Sequence, residues 1–249
     1  MPNHITNELT ASKNILDSMI GPNGEVDFDT VIPMPDILKG ESAEGMIEDW
    51  ASIALGITTI ASLSQRHEHP AEAFKRGDFG SASKALHQSN VIRMLQDGPY
   101  PKDFTDERFE TLIRYMRALR KFGHANWYEW SIENWGTKWN AYDVKRVSET
   151  VVRFNTAWSA PTKIIAALAK KHPDEIIRLR WADEDNGANT GDVTVRGEDV
   201  IAGGRVENYS PQAWALCLDL KYDGVLPEDM RIGEGGKLEY LPDESVTSE

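Results

Sequence analysis

The sequence has one cysteine, Cys217, and no apolar stretch long enough to cross a membrane. A single thiol cannot form an internal disulfide, and Cys217 lies in an apolar run, where an unpaired cysteine packs as a small hydrophobe. The longest uncharged run, residues 51–65, contains polar side chains and is shorter than the roughly 20 apolar residues of a spanning helix. Residues 1–9 lack the basic and apolar blocks of a signal peptide. These absences predict a cytoplasmic protein with no membrane anchor.

Basic residues are also few relative to acidic ones. The chain has 27 Lys and Arg against 40 Asp and Glu, a formal net charge of -13. This charge repels a phosphate backbone, so direct, sequence-independent binding of nucleic acid is not expected. With 249 residues, 40% of them hydrophobic, the chain can still build a sizeable core.

Two segments in the first half of the chain have the apolar spacing of helices. Apolar residues recur every three or four positions over residues 44–57. The segment after Thr105 begins with a capping residue and acidic side chains, and it ends with basic side chains before Gly123, as the helix dipole favours. These patterns predict a helical insertion at residues 44–123. The expected buried face of its second helix consists of Phe109, Leu112, Ile113, Met116 and Leu119.

Strand patterns follow in the second half. Residues 148–181 predict a β-α-β unit, and in its second strand the apolar positions alternate with Arg178 and Arg180. Four tryptophans between Trp127 and Trp139 predict strands rather than a helix over residues 126–140. The other expected elements are extended segments around Ile5 to Leu9 and at 27–35, strands at 192–196 and 200–206, a helix from Ser210 to Leu220, and an acidic irregular tail at 226–249.

Three stretches of the sequence resemble a known family. They are residues 1–7 (MPNHITN), residues 32–35 (IPMP) and above all residues 134–140 (NWGTKWN), which precede the β-α-β unit. Together they resemble the YubB-like ferredoxin-like proteins of phages and plasmids. The resemblance implies an α+β fold in which a ferredoxin-like antiparallel sheet carries helices on one face, built from residues 1–43 and 124–225. It also implies a protein of a mobile element that acts inside a bacterium.

The candidate ligand-binding or partner-binding residues are Trp135, Lys138, Trp139, Arg178 and Arg180. The indoles offer flat surfaces for stacking, and the two guanidinium groups offer bidentate hydrogen bonds to phosphate or carboxylate. Each group also has a structural interpretation, which the sequence favours. Tryptophans in strands usually pack in the core, and charged side chains on a sheet are often a solvated face balanced by acidic neighbours. If both tryptophans point inward, Lys138 needs an acidic partner such as Asp143.

No catalytic or metal-binding constellation is visible in the sequence. His67 and His69 alternate before Pro70, and no second cluster at ligand spacing follows them, so this segment is predicted to be a polar loop. No nucleophile and base stand at motif spacing. We therefore expect no catalytic residues, no metal and no cofactor.

Two hypotheses of function follow. The first is a non-enzymatic interaction protein of a phage or plasmid, whose partner is a host protein or nucleoprotein complex and whose effect is counter-defence. The alternative is a protein that binds or sequesters a nucleotide-like small ligand through the candidate residues.

Overall fold

A six-stranded antiparallel sheet organises the larger part of the chain, in a computed structural model that describes residues 3–39, 45–58 and 105–241. In space the strands follow the order β2-β3-β1-β4-β5-β6. Their bounds are β1 (His4–Thr10), β2 (Tyr142–Ser148), β3 (Val151–Ala157), β4 (Ile176–Asp183), β5 (Gly191–Arg196) and β6 (Asp199–Arg205). The helices are α1 (Lys13–Ser18), α2 (Gly45–Ala54), α3 (Asp106–Phe122), α4 (Trp127–Asn134), α5 (Thr162–Lys171) and α6 (Pro211–Tyr222).

The chain divides into two compact units. The first comprises residues 1–33 and 130–249 and contains the sheet, and the second comprises residues 34–129. The domain limits expected from the sequence, with an insertion at residues 44–123, stay a prediction. Much of that insertion, including His67 and His69, lies outside the described residues.

The strand connections produce a ferredoxin-like arrangement. Because β3 and β4 are each antiparallel to β1, they run parallel to one another, and α5 is the crossover between them. The spatial order β2-β3-β1-β4 is that of the β-α-β-β-α-β motif, and β5 and β6 extend the sheet beyond β4. The α+β fold with an antiparallel, ferredoxin-like sheet is therefore confirmed.

The two faces of the sheet differ in chemistry. On one face, which we call the core face, buried apolar side chains of β1, β3 and β4 pack against α5. Ala166 and Ala167 of α5 border a cavity together with Val195 of β5. The opposite, arginine face carries Glu8, Arg178 and Arg180. Helix α6 covers part of the arginine face. The prediction of helices on one face therefore holds for the ferredoxin-like unit, whereas α6, which follows that unit in the chain, lies on the opposite face. The core-face residues are Ile5, Leu9, Val152, Phe154, Ile177 and Leu179.

Several expected elements are present within a few residues of their predicted limits: β1, the β-α-β unit, the β5–β6 pair and the last helix. The extended segment expected at 27–35 is wrong. It contains a 3-10 turn at Phe28–Thr30, because Asp27 Oδ1 accepts the Asp29 N–H at 2.9 Å and caps that turn. Strand β2 was not anticipated.

The prediction of strands over residues 126–140 is also wrong. Helix α4 spans Trp127–Asn134, and turns follow up to Trp139. Asn126 precedes the helix, and its Oδ1 accepts the Tyr128 N–H at 2.9 Å, which is the geometry of an N-cap. Trp130 and Ser131 are buried. The cap and the burial of one helical face outweigh the β-propensity of the tryptophans.

The sequence predicts an irregular tail at residues 226–249, but part of this segment has regular structure. Strands β7 (Met230–Ile232) and β8 (Leu238–Tyr240) form a hairpin. Met230 and Leu238 are buried against Trp214, Cys217 and Leu220 of α6. Leu226 also packs against this cluster, so apolar contacts with α6 favour an ordered hairpin in an acidic segment.

The second unit contains α2 and α3. Thr105 Oγ1 accepts the Arg108 N–H at 3.3 Å at the start of α3, and Gly123 ends the helix in the left-handed conformation (φ 79°), as expected. The predicted buried face is right for Leu112, Met116 and Leu119, which pack against the cluster of Ile47, Ala51, Tyr115 and Ala125. Tyr115 and Ala118 are fully buried, whereas Phe109 is 45% exposed.

Candidate functional site: an aromatic patch at one end of the sheet

Three strands place their ends at one edge of the arginine face. In the register of the sheet His4 lies opposite Ala157, and Tyr142 lies opposite Asn155. The start of β1, the start of β2 and the end of β3 therefore lie side by side. Side chains in and next to these ends form what we call the aromatic patch. It consists of His4, Lys138, Trp139, Tyr142 and Trp158.

Lys138 lies between two indoles. Its Nζ is 4.8 Å from the ring centroid of Trp139 and 4.5 Å from that of Trp158. Both distances are within the range of cation–π attraction, and each such contact at an exposed site contributes about 0.5–1 kcal/mol. The two indoles remain 37% and 41% exposed. The contacts hold the rings in place and leave part of each surface accessible.

The loop that carries Lys138 is fixed to the end of β3. Thr137 Oγ1 donates to the Ala157 carbonyl at 2.8 Å, and Ser131 Oγ donates to the Lys138 carbonyl at 2.7 Å. Thr137 and Ser131 are fully buried, so these bonds are shielded from water. The patch is therefore built on a rigid base.

Trp158 has a backbone conformation that is unusual for its type. Its φ is 71°, in the left-handed region, which costs an ordinary L-residue roughly 1–2 kcal/mol. The backbone is held there by hydrogen bonds: the Trp158 N–H donates to Asn3 O at 2.9 Å, and Asn189 Nδ2 donates to the Trp158 carbonyl at 3.4 Å. Backbone strain of this kind is concentrated at functional sites. A strained, exposed tryptophan is the main reason for regarding the patch as functional.

Tyr142 and His4 continue the row of rings. The Tyr142 ring lies edge-on to Trp139 at 6.4 Å and to His4 at 5.7 Å. The Tyr142 hydroxyl donates to the Thr156 carbonyl at 3.2 Å, and His4 Nδ1 lies 2.6 Å from the Tyr142 hydroxyl oxygen. Burial raises the pKa of Tyr142, and the carboxylates of Asp143 and Glu184 raise it further. The phenol therefore stays protonated, and two carboxylates stand beside it.

Of the five candidate residues from the sequence, Lys138 and Trp139 belong to the patch, and Trp135 does not. Trp135 is buried in the core next to Phe28 and Trp130, and its Nε1–H donates to Ile32 O at 2.9 Å. Only one of the two tryptophans therefore points inward. The expected acidic partner of Lys138, Asp143, instead accepts a hydrogen bond from Asn155 Nδ2 at 3.1 Å.

Arg178 and Arg180 lie on the arginine face, as the alternation in β4 predicted, and both are engaged by carboxylates. Arg178 makes a bidentate pair with Asp192, with N–O distances of 2.8 and 2.6 Å. Arg180 contacts Glu8 and Asp219. Burial lowers the pKa of Arg180, but the bonds to these carboxylates raise it overall.

The arginines are separate from the patch. Arg180 lies opposite Glu8 in the register, and Glu8 is four residues along β1 from His4. At about 3.4 Å per residue the separation is about 14 Å. Sequence reasoning thus missed His4, Tyr142 and Trp158. Trp158 could have been found as a tryptophan directly after a strand and before Ser159-Ala160-Pro161, whereas Tyr142 lies in a strand without apolar alternation.

The described part of the chain holds no group of three or more His, Cys, Asp or Glu side chains arranged to bind a metal ion. Within those same residues, no helix is both long and apolar enough to cross a membrane. Cys217 is a buried free thiol, and its burial raises its pKa.

Comparison with known proteins bears on the sheet. Residues 134–213 match the family model described as the ferredoxin-like domain in Api92-like protein. This part of the chain belongs to a ferredoxin-like domain, which β1 completes. The matched segment begins at the end of α4, includes β2 to β6 with α5, and ends in the first turn of α6.

Among solved structures, the chain is similar to the crystal structure of a protein Api92 from Yersinia pseudotuberculosis. The two share 10% sequence identity with a TM-score of 0.33, over 83% of this chain and 99% of the other. No curated protein matches the sequence.

Proposed function

We propose that this protein is a non-enzymatic interaction protein whose aromatic patch docks on a partner protein. The observation that carries the proposal is the pair of exposed indoles, Trp139 and Trp158, held on a rigid base with Trp158 in a strained backbone conformation. Tryptophan and tyrosine are the side chains most enriched where interfaces derive their binding energy. On the sequence resemblance to phage and plasmid proteins, the partner that we propose is a host protein of a bacterial cytoplasm, and the effect that we propose is counter-defence.

The electrostatics favour a protein partner over a phosphate-bearing one. Asp143 and Glu184 stand beside Tyr142, and the chain carries a net charge of -13. Both repel phosphate groups. The nucleotide hypothesis also relied on Arg178 and Arg180, whose guanidinium groups are engaged by carboxylates. It stays a prediction, and a panel of nucleotides tests it, because a ligand of the folded state raises the melting temperature.

The proposed function is tested by affinity capture from bacterial lysate with three forms of the protein. The wild type is compared with the double variant Trp139→Ala/Trp158→Gly and with Ile176→Ala. Ile176 is a matched control, since it is 57% exposed and lies at the opposite end of β4 from the patch. We expect one partner to be retained by the wild type and by Ile176→Ala and lost by the double variant. A partner that the double variant retains, or capture of none, contradicts the proposal.

A further inference from the structure

We propose that α3 is a dimerisation helix, which packs antiparallel against the same helix of a second copy of this chain. The surface belongs to the second compact unit and shares no residue with the aromatic patch. Three features of α3 carry the proposal: acidic and basic side chains at opposite ends of one face, an apolar groove along its second half, and an exposed phenylalanine.

One face of α3, which we call the outer face, changes in charge from one end to the other. Its acidic side chains lie in the first half of the helix and its basic side chains in the second half. Within the described part of the chain, none of these charged groups forms an ion pair. The outer face, spaced at three or four residues, consists of Asp106, Phe109, Glu110, Ile113, Met116, Arg117, Arg120 and Lys121.

An apolar groove runs along the second half of the outer face. Ile113 and Met116 line it together with Leu55, which directly follows α2, and its volume is about 440 Å³. The three basic residues of the outer face also line this groove. In the first half of the same face, the Phe109 side chain is 45% exposed, although the sequence predicts that it is buried.

A two-fold axis at Ile113 brings opposite charges together. In an antiparallel pair related by this axis, residues equally far before and after Ile113 lie opposite one another. Asp106 is seven positions before Ile113 and Arg120 is seven after, so each pairs with the other in the second copy. Glu110 likewise comes next to Arg117 of the second copy. Each helix thus offers its acidic half to the basic half of its partner.

The same axis brings the exposed phenylalanine to the groove. Phe109 lies four positions before Ile113 and Met116 lies three after, so the ring is next to Met116 of the second copy. Burial of an aromatic ring in an apolar groove is a typical source of interface stability. Every contact occurs twice, and the two-fold symmetry closes the assembly at two chains.

This self-complementarity favours a second copy over other occupants of the groove. An anionic amphiphile would use only the basic half, and the acidic half and Phe109 would contribute nothing to its binding. Two chains of net charge -13 repel each other at a distance. At physiological ionic strength this repulsion is screened beyond about 8 Å, whereas the paired side chains meet at much shorter range.

Sedimentation equilibrium of the full chain over a range of concentrations tests the proposal. We expect a reversible equilibrium between one chain and two. Arg117→Glu/Arg120→Glu makes both halves of α3 acidic and should give a monomer, because like charges then face one another. The matched control, Lys170→Glu/Lys171→Glu, reverses two basic residues in the last turn of α5 and should dimerise like the wild type.

A second reversed variant allows the pairing itself to be tested. Asp106→Lys/Glu110→Lys makes both halves of α3 basic, so this variant alone should also be a monomer. Mixed in equal amounts, the two reversed variants should form a heterodimer, since each acidic half then meets a basic half. Recovery on mixing separates lost pairing from misfolding, and circular dichroism of each variant measures its helix content.

The apolar contact has its own variant. Phe109→Ala removes the exposed ring and leaves the charges of the outer face unchanged. We expect it to weaken dimerisation about tenfold or more. Ile176→Ala, which removes an equally exposed apolar side chain from the first unit, should leave dimerisation unchanged.

Three outcomes overturn the inference: a wild type that is monomeric at all concentrations, a dimer that survives reversal of the basic half, or reversed variants that do not associate on mixing. A monomeric wild type that binds dodecanoate through Arg117 and Arg120 would assign the groove to an anionic ligand, and would overturn it too. The proposed function fails separately, because its capture experiment depends on the aromatic patch and not on α3.

Discussion

At the scale of single residues, Trp158 is the position where backbone conformation and side chain conflict most. Glycine adopts a φ of 71° without strain, whereas alanine does not. Both replacements remove the indole and its contact with Lys138. We therefore expect Trp158→Gly to be more stable than Trp158→Ala by about 1 kcal/mol, measured by urea unfolding. Equal stability of the two variants would show that residue 158 is not strained.

Glu48 of α2 is a carboxyl group whose burial disfavours its charged form. Burial, together with the nearby carboxylates of Glu129 and Asp49, raises its pKa to about 7, although its Oε2 accepts a hydrogen bond from Asn126 Nδ2 at 2.9 Å. Because the pKa of Glu48 is higher in the folded protein than in the unfolded chain, protonation of Glu48 stabilises the fold. This contribution to the free energy of unfolding is fully present below about pH 4.5 and is lost as the pH rises through 7.

For Glu48→Gln we expect a loss of this pH dependence. At pH 8 the variant should be more stable than the wild type, on the order of 3 kcal/mol, and at pH 4 the two should be similar. Urea unfolding of both proteins across this range measures the difference. A constant difference between the two proteins at all pH values would contradict the assigned role of the carboxyl group.

Glu8 holds the ion pairs of the arginine face. Its side chain is 9% exposed and contacts both Arg153 and Arg180, whereas Asp219, the other partner of Arg180, is 47% exposed. Neutralising a buried partner of two guanidinium groups leaves both without their shared anion. We expect Glu8→Gln to reduce the free energy of unfolding by about 3 kcal/mol and Asp219→Asn by less than about 1 kcal/mol. Denaturant unfolding in low salt measures both, and similar losses would contradict this ranking.

What could be predicted for individual residues depended on local pattern. The alternation in β4 correctly placed Arg178 and Arg180 on the polar face, and the favoured interpretation of that face as balanced by acidic neighbours agrees with their pairing with Asp192 and Glu8. Trp135 and Trp139 have similar sequence surroundings, yet one is buried and the other is exposed. Their difference arises from the turn after α4, whose conformation is set by hydrogen bonds to β3, a strand distant in sequence.

At the scale of elements, the success of prediction followed the strength of local signals. Helix α3 has a cap, charges matched to its dipole and a terminal glycine, and its limits were predicted correctly. Helix α4 has only the Asn126 cap and spacing shared with strands, so the tryptophans misled the assignment. Strand β2 has little apolar alternation because most of its side chains are exposed at an edge of the sheet.

The β7–β8 hairpin should depend on its apolar contacts with α6. Leu238 is 5% exposed and packs in the cluster with Trp214 and Cys217, whereas Tyr240 on the same strand is 67% exposed. We expect Leu238→Ala to cost about 2–3 kcal/mol locally and to increase amide hydrogen exchange in residues 230–240. Ile232→Ala, at a position of β7 that is 56% exposed, is the control and should leave exchange unchanged. Unaltered exchange in Leu238→Ala would mean that the hairpin is held by other contacts.

At the scale of the whole molecule, the sheet draws strands from both ends of the chain. The central strand β1 is N-terminal, and its neighbours β3 and β4 follow more than a hundred residues later. No periodicity within a segment encodes this pairing, so the strand order could come only from the family resemblance. The long connection between β1 and β2 contains the second compact unit, residues 34–129. This arrangement raises the question of whether the sheet needs that unit in order to fold.

We expect the sheet to fold without it. Ile32 and Trp130 both contact the Trp135 indole, so the chain leaves and re-enters the first unit at neighbouring points. A linker of about six glycine and serine residues spans about 20 Å and can replace residues 34–125, which leaves Asn126 to cap α4. The shortened chain should show a cooperative thermal transition and the near-ultraviolet circular dichroism of packed tryptophans. It should also retain the lysate partner that the full chain captures, because no residue of the aromatic patch is removed. A shortened chain that lacks fixed tertiary structure would show instead that residues 34–125 are part of the folding unit of the sheet.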